Sequence, residues 1–138
     1  TPEQLVEGKL WRGNKHIRET QIFKTLEAVD SIFQSYSMIW GPTGSVGFEL
    51  ASGVETVTAT SDLDIVVRVP SFLPIKTAKD IIKELSTVIT KVDIQLETPK
   101  GSLALAEYAR GDSNILIRTL NGPRLIKNPW SKDEYWEG

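Results

Sequence analysis

Apolar residues recur at helical spacing in two parts of the chain, which predicts two amphipathic helices. The first stripe, at positions i, i+4, i+7 and i+11 within residues 17–36, consists of Ile22, Leu26, Val29 and Phe33. The second stripe, within residues 75–90, consists of Ile81, Leu85, Val88 and Ile89. Each stripe is expected to bury its helix against the rest of the fold.

Two other segments alternate between apolar and polar residues, the pattern of a strand that is buried on one face. They are DLDIVVRV, which stops before Pro70, and KVDIQLET, which stops before Pro99. The buried faces are predicted to hold Leu63, Ile65, Val67 and Val69 in the first strand, and Val92, Ile94 and Leu96 in the second. The opposite faces carry Asp62, Asp64, Val66 and Arg68, and Asp93, Gln95 and Glu97.

Shorter segments complete the predicted order of elements. SMIWG indicates a buried strand that includes Trp40, GPTGS a turn, and SVGFELAS a short helix from near Ser45 to Gly53. SLALAEYA indicates another short helix, and the segments around Asn121-Gly122 indicate a hairpin. The order predicts an α/β or α+β domain with a small mixed sheet flanked by helices. Residues 1–16 are interpreted as an irregular lead-in, and residues 17–138 as the domain.

Composition and charge remove several classes of function. A chain of 138 residues with a net charge of -2 suits one globular domain and has no basic field for binding nucleic acid. It has no cysteine and one histidine, His16, which argues against thiolate or histidine metal sites. The absence of cysteine is compatible with a reducing cytoplasm, which is the expected location, and no apolar run is long enough to span a membrane.

Three aspartates are the first candidate for a functional site. Asp62 and Asp64 share one face of their strand, and Asp93 joins them if the two strands are neighbours. Two such charges at 4 Å repel by about 4 kcal/mol at an effective dielectric constant near 20. A divalent cation such as Mg²⁺ or Mn²⁺ offsets that repulsion, and pairs of such ions serve displacement at phosphorus. The alternative is that these aspartates are solvated residues on strands with one exposed face.

The glycine-rich segment before the short helix is the second candidate. Free backbone N–H groups at the start of a helix bind phosphate, and Gly41 and Gly44 allow close approach. Ser45 is expected to donate its hydroxyl to a phosphate, or alternatively only to cap the helix. Arg68 is a candidate for binding substrate phosphate, or for a structural ion pair. Other candidates for phosphate binding, each also compatible with a solvated charge, are Lys100, Arg110, Arg118 and Arg124.

These residues, taken together, resemble a known signature. Gly44-Ser45 at the start of a helix, Asp62-x-Asp64 on the next strand and Asp93 on the strand after it resemble the polymerase-beta-like nucleotidyltransferases. The longer strings GPTGSVGFELASG, SDLDIVVR, VDIQLETPKG and LAEYARG are similar to the malonate decarboxylase holo-[acyl-carrier-protein] synthases, or phosphoribosyl-dephospho-CoA transferases. This resemblance covers about residues 37–130. Members of that family carry a further N-terminal region, so the chain is expected to be a catalytic fragment.

The resemblance implies an activity and a role for each residue. The phosphoribosyl-dephospho-CoA group would pass from 2'-(5''-triphosphoribosyl)-3'-dephospho-CoA to a serine of the apo acyl carrier protein of malonate decarboxylase, with release of pyrophosphate. Gly44 and Ser45 would hold the triphosphate, and Asp62, Asp64 and Asp93 would ligate Mg²⁺ or Mn²⁺. Asp93 would also accept the serine proton. Two alternatives stay open: another nucleotidyltransferase that adenylylates a small molecule or a protein, and a non-catalytic binding domain.

Overall fold

The computed structural model describes residues 2–7, 9–58, 61–88, 91–111 and 114–130. Its helices are α1 (Pro2–Glu7), α2 (Lys15–Arg18), α3 (Gln21–Ser35), α4 (Gly44–Ser52), α5 (Ile75–Leu85) and α6 (Leu105–Ala109), with a 3-10 turn at Leu10–Gly13. Its strands are β1 (Ile39–Thr43), β2 (Leu63–Arg68), β3 (Val92–Thr98), β4 (Gly101–Ala104), β5 (Ile115–Thr119) and β6 (Gly122–Ile126). None of the helices in this part of the chain has the length and apolar character that crossing a bilayer requires.

The six strands form one mixed sheet in the order β1-β2-β3-β4-β5-β6. Strands β2 and β3 pair in parallel, and the other neighbouring pairs are antiparallel. The parallel pair requires a crossover, which α5 supplies. The predicted α/β class with a small mixed sheet and flanking helices is therefore confirmed.

The hydrophobic core confirms the faces that the sequence pattern predicts. The strand residues predicted to face inward on β2 are all buried, as are Ile94 and Leu96 of β3. They form one cluster with the α3 stripe, whose members Ile22, Leu26, Val29 and Phe33 are at most 2% exposed. From α5 the cluster takes Ala78, Ile81 and Leu85. Trp40 of β1 is buried in the same cluster, as predicted.

The irregular lead-in predicted for residues 1–16 is wrong for the part that the structure describes. This segment forms α1 and the 3-10 turn and begins α2, and it contributes the fully buried Trp11 to the core. The Trp11 and Trp40 rings lie 5.8 Å apart. The backbone of Pro2 occupies the space that a side chain at Gly41 would need, so α1 packs directly on β1. Isolated apolar residues gave no periodic signal there, because long-range packing determines these short helices.

Several other boundaries differ from the prediction. The segment predicted as a turn continues β1 through Gly41, Pro42 and Thr43, and a proline is tolerated because β1 is an edge strand. Helix α4 begins at Gly44 with Thr43 as its N-cap residue, so the prediction that Ser45 caps this helix is wrong.

Segment 101–104 is a strand, β4, before α6 begins, whereas the sequence predicted a single helix from Ser102. The short alternation of β4 was hidden by alanines that also favour helix. The hairpin of β5 and β6 is confirmed, with Thr119 paired to Gly122 across the loop. Helix α5 ends at Leu85 and Val88 lies in the bend after it, so the prediction that Val88 belongs to the helical stripe is wrong. Ile89, the last residue of that stripe, and residues 131–138 lie outside the described residues.

Trp130 packs the end of the described chain onto the rest of the domain. Its indole Nε1–H donates to the Val69 carbonyl oxygen at 2.7 Å. Its ring meets Tyr108 edge-on at 5.3 Å and Phe72 edge-on at 5.7 Å. The segment after β6 is thereby held beside the end of β2.

Candidate active site

The parallel pairing of β2 and β3 brings two of the predicted carboxylates together. Asp64 and Asp93 are direct partners in the register, so both side chains leave the sheet on the same face. Asp62 lies immediately before β2 begins, one pleat from Asp64. Asp64 is half-buried, while Asp62 and Asp93 are exposed. The expectation that the two alternating strands are neighbours is therefore confirmed.

The three aspartates influence one another electrostatically. The pKa of the Asp64 carboxyl is raised above its usual value, first by burial, then by the charge of Asp93, and then by that of Asp62. Lys91 opposes this effect. Asp64 therefore carries its negative charge at a cost in free energy, which a bound cation would reduce.

Gly44 forms the wall against which Asp64 rests. Its φ is 61°, in the left-handed region, and a Cβ built on it would lie 2.5 Å from Oδ2 of Asp64. The nine-residue helix α4 begins at this glycine. The first backbone N–H groups of α4, which have no partner within the helix, therefore lie near the Asp64 carboxylate. Ser45 follows on the first turn and is half-buried. The close approach at Gly41 serves α1 instead, because Pro2 fills that space.

The donor set suits a hard divalent cation by its chemistry. Carboxylate oxygens are the ligands that Mg²⁺ and Mn²⁺ prefer. The charges of Asp93 and Asp62, which contribute after burial to the raised pKa of Asp64, would also attract a cation. Among the described residues, no group of three or more acidic, histidine or cysteine side chains is arranged around one point as a metal site. The register brings two candidate ligands together, Asp64 and Asp93, and metal binding by these residues and by Asp62 stays a prediction.

An open groove of about 650 Å³ runs from the carboxylates along β3 to α6. Its polar wall carries Asp64, Asp93, Lys91 and Gln95. Its apolar wall is formed by Ile82, Leu85, Val88, Val92, Ile94 and Leu105. One end of the groove is therefore charged, and its apolar wall offers a contact surface for an uncharged part of a ligand.

Sequence reasoning missed Lys91. It lies one residue before β3, so the alternation that places Asp93 and Gln95 outward also places Lys91 outward. Its ammonium group lowers the pKa of Asp64 and lines the groove beside Asp93. That alternation was available in the sequence, but an isolated lysine beside a strand is most often only solvated.

Arg68 does not reach the carboxylates. It lies four residues beyond Asp64, or about 13 Å along an extended strand. Its guanidinium donates to Oε1 of Glu3 on α1 at 2.8 Å. The structure thus contains the structural ion pair that the sequence analysis weighed against phosphate binding.

The loop that leads to Asp62 is anchored by a buried carboxylate. Oε1 of Glu49, on α4, accepts the backbone N–H groups of Thr56 and Val57 at 2.8 and 2.9 Å. His16 Nδ1 lies 2.9 Å from Oε2 of Glu49, which is 1% exposed. Burial alone would raise the pKa of Glu49, but the hydrogen bonds from Val57, Thr56 and His16 outweigh it and lower that pKa. No local sequence pattern predicted this contact, because it joins distant segments.

The contact between Gly44 and Asp64 can be tested with a matched pair of glycines. Gly53 has a φ of 77° with nothing within 4 Å of a built Cβ, so Gly53→Ala introduces backbone strain alone, about 1 kcal/mol. We expect Gly44→Ala to add the displacement of the Asp64 carboxylate toward water. The pKa of Asp64, followed by NMR titration, should then fall toward its ordinary value in Gly44→Ala and stay unchanged in Gly53→Ala. Equal titration curves in both variants would contradict the contact.

Comparison with known proteins places the chain in a family. The family described as "Phosphoribosyl-dephospho-CoA transferase MdcG C-terminal domain" matches residues 9–129. A phosphoribosyl-dephospho-CoA transferase of Pseudomonas syringae pv. tomato is 35% identical over 130 residues, which are 94% of this chain and 60% of that protein. One of Pseudomonas putida is 40% identical over 108 residues, 78% of this chain and 53% of that protein.

A third relative of the same name, from Klebsiella pneumoniae, is 33% identical over 134 residues, 97% of this chain and 63% of that protein. The chain thus spans little more than half the length of these relatives. No solved structure matches it. The match over residues 9–129 contains β1 to β6, α4 and all three aspartates, and on that ground the chain belongs to the MdcG C-terminal domain family of phosphoribosyl-dephospho-CoA transferases.

Proposed function

We propose that the chain is an enzyme that transfers phosphoribosyl-dephospho-CoA from its triphosphoribosyl donor to a serine of an apo acyl carrier protein. Family membership and the names of the relatives support the group transferred. The observation that carries the proposal is the register of Asp64 with Asp93, beside Gly44 at the start of α4. This arrangement presents two carboxylates and free backbone N–H groups to one point, as displacement at phosphorus requires.

In the proposed reaction the serine Oγ attacks the α-phosphorus of the donor's 5''-triphosphate. The new bond joins serine Oγ to that phosphorus, and the bond from the phosphorus to the oxygen bridging to the β-phosphate breaks. Pyrophosphate leaves with the electrons of that bond, and a phosphodiester stays on the carrier protein. The exposed carboxylate of Asp93 accepts the serine proton and passes it to water.

Asp62, Asp64 and Asp93 would hold Mg²⁺ or Mn²⁺. When bound, the metal supplies Lewis-acid stabilisation of charge on the phosphate oxygens. The half-buried Asp64, supported by Gly44, fixes the position of the site within the sheet. Its raised pKa is the physical reason to expect that a cation binds there.

Two backbone N–H groups and one lysine side chain would bind the triphosphate. The first backbone N–H groups of α4, at Gly44 and Ser45, face the anion with the positive end of the helix dipole. Lys91 approaches from the start of β3 and neutralises charge on the departing pyrophosphate.

The carrier subunit of malonate decarboxylase is the proposed acceptor. The apolar wall of the groove is the proposed contact for the uncharged part of the donor.

The proposal is tested by incubating the chain with Mg²⁺, the triphosphoribosyl donor and an apo acyl carrier protein of malonate decarboxylase. We expect the carrier to gain the mass of one phosphoribosyl-dephospho-CoA group, with one pyrophosphate released per carrier modified. A carrier whose acceptor serine is replaced by alanine should gain nothing. Modification with ATP or GTP as donor, and none with the triphosphoribosyl compound, would overturn the proposal in favour of another nucleotidyl transfer.

A further inference from the structure

The two hairpins β3–β4 and β5–β6 have tips of the same construction. Their sequences are TPKG, residues 98–101, and TLNG, residues 119–122. The threonine hydroxyl donates to the glycine carbonyl oxygen at 2.8 Å in the first tip and 2.7 Å in the second. It accepts the backbone N–H two residues on, from Lys100 at 3.3 Å and from Asn121 at 3.1 Å. Each tip is therefore fixed by its own hydrogen bonds.

The two tips lie side by side at one end of the sheet. Strands β4 and β5 are paired through Ser102 and Arg118. A Cβ on Gly101 would collide with the carbonyl oxygen of Arg118, so glycine is what allows the strands to approach this closely. Because β3 runs from Asp93 toward the first tip, both tips lie at the opposite end of the strands from Asp93.

A basic groove of about 550 Å³ lies between the tips. Three of its lining residues are cations, Lys100, Arg118 and Arg124, and none of the lining residues that the structure describes is acidic. Arg118 and Arg124 are exposed, so their guanidinium groups are accessible to a ligand. On a chain of net charge -2, this is a local concentration of positive charge on a rigid support.

We propose that this basic groove binds the diphosphate of the donor's dephospho-CoA part. This inference rests on the proposed function for the identity of the ligand. Dephospho-CoA carries a diphosphate, and the triphosphate that reacts is attached to a second ribose, so the donor presents two separate anionic groups. The carboxylate site with Lys91 takes the reacting triphosphate, and the two arginines take the diphosphate, since guanidinium groups bind phosphate oxygens in bidentate fashion.

The sheet geometry places Arg118 on the same face as the carboxylates, whereas Arg124, which is paired with Ile117, leaves the sheet on the other face and lines the basic groove from that side. Glu97 is paired with Ser102, and Ser102 with Arg118, so Arg118 leaves the sheet on the same face as Asp93. Four residues along β3 and two strand spacings separate Asp93 from Arg118, or about 16 Å between backbones. The long side chain of Arg118 shortens this distance toward the length of the two linked riboses that separate the diphosphate from the triphosphate in the donor.

The test separates the two anion sites by measuring binding rather than turnover. Dephospho-CoA, which has the diphosphate and no triphosphate, is titrated into the 138-residue chain by calorimetry, without added metal. We expect Arg118→Gln and Arg124→Gln each to weaken this binding about tenfold, because each removes a charge-assisted hydrogen bond. The matched control Lys91→Gln should leave it unchanged. Inorganic triphosphate should show the reverse pattern, losing affinity in Lys91→Gln and not in the arginine variants.

The outcomes distinguish this inference from the proposed function. Dephospho-CoA that fails to bind, or that binds the arginine variants and the unaltered chain equally, overturns the diphosphate site whether or not the transfer reaction is observed. Arginine variants that bind dephospho-CoA normally and lose the carrier protein instead would also overturn it and identify an acidic protein surface as the occupant. Dephospho-CoA binding that depends on both arginines supports the site, even if no transfer is detected.

Discussion

Asp64→Asn should reduce the rate of group transfer by about 10³-fold or more, because it removes a charge at the point where phosphate charge must be stabilised. The same substitution should leave the thermal midpoint unchanged or raise it. The pKa of Asp64 is raised in the folded protein, so its ionised form opposes folding at neutral pH, and asparagine removes that penalty. Asparagine also keeps the size of the side chain that rests on Gly44.

Two measurements check this prediction, transfer rate and thermal unfolding with and without Mg²⁺. We expect Mg²⁺ to stabilise the unaltered chain and to have little effect on Asp64→Asn. Asp80→Asn is the matched control, because Asp80 is an exposed aspartate on α5 that does not line the groove. A variant that loses both activity and several degrees of stability would show instead that Asp64 is a structural residue.

Glu49→Ala should lower the free energy of unfolding by about 3 kcal/mol, the largest stability loss that we expect from any polar residue of the chain. The substitution leaves the backbone N–H groups of Thr56 and Val57 without their acceptor and His16 without its partner. The N–H group of the buried Val57 costs about 1–3 kcal/mol when it loses its acceptor, whereas that of the exposed Thr56 costs less because water replaces the acceptor. Chemical denaturation measures the loss, and the exposed Glu55 in the same loop provides the control Glu55→Ala, which should change little.

The contact between Glu49 and His16 also predicts how stability depends on pH. The pKa of His16 is raised from 6.5, chiefly by its hydrogen bond to Glu49, so its contribution is complete below pH 6.5 and is lost as pH rises through the folded value. The pKa of Glu49 is lowered from 4.5, so its contribution is present above pH 4.5 and is lost as pH falls through the folded value. The stability difference between the unaltered chain and Glu49→Gln should therefore be greatest between about pH 4.5 and 6.5. A difference that is constant from pH 4 to 8 would contradict this pairing.

The central strands could be predicted from the sequence because their two faces differ so strongly. In β2 and β3 a shift of one residue would move aspartates into the core, so alternation alone determines which face each side chain takes. The helical stripe of α3 was equally informative, since its four residues are all buried in the same core cluster. The carboxylate pair followed from the same alternation once the two strands were assumed to be neighbours.

Features that depend on distant contacts could not be predicted. Helix α1 has one buried residue, Leu5, and is too short for a periodic signal, so its place on β1 follows from the space at Gly41. Glu49, which anchors the loop, also contacts His16, 33 residues earlier in the chain, and no local pattern indicates a contact over that separation. Arg68 was a candidate for phosphate binding because alternation places it on the same face as Asp64. Its distance along the strand from Asp64 brings it to Glu3 of α1 instead, with which it forms an ion pair.

The parallel pairing of β2 with β3 also affects how the site forms as the protein folds. Parallel strands cannot be joined by a tight turn, so Asp64 meets Asp93 only after the intervening chain, with α5, has crossed the sheet. Contacts between such distant residues close slowly compared with local ones, because the entropy of loop closure must be overcome first. An incompletely folded chain therefore lacks the carboxylate pair, and recovery of the proposed group transfer during refolding would report when β2 and β3 pair.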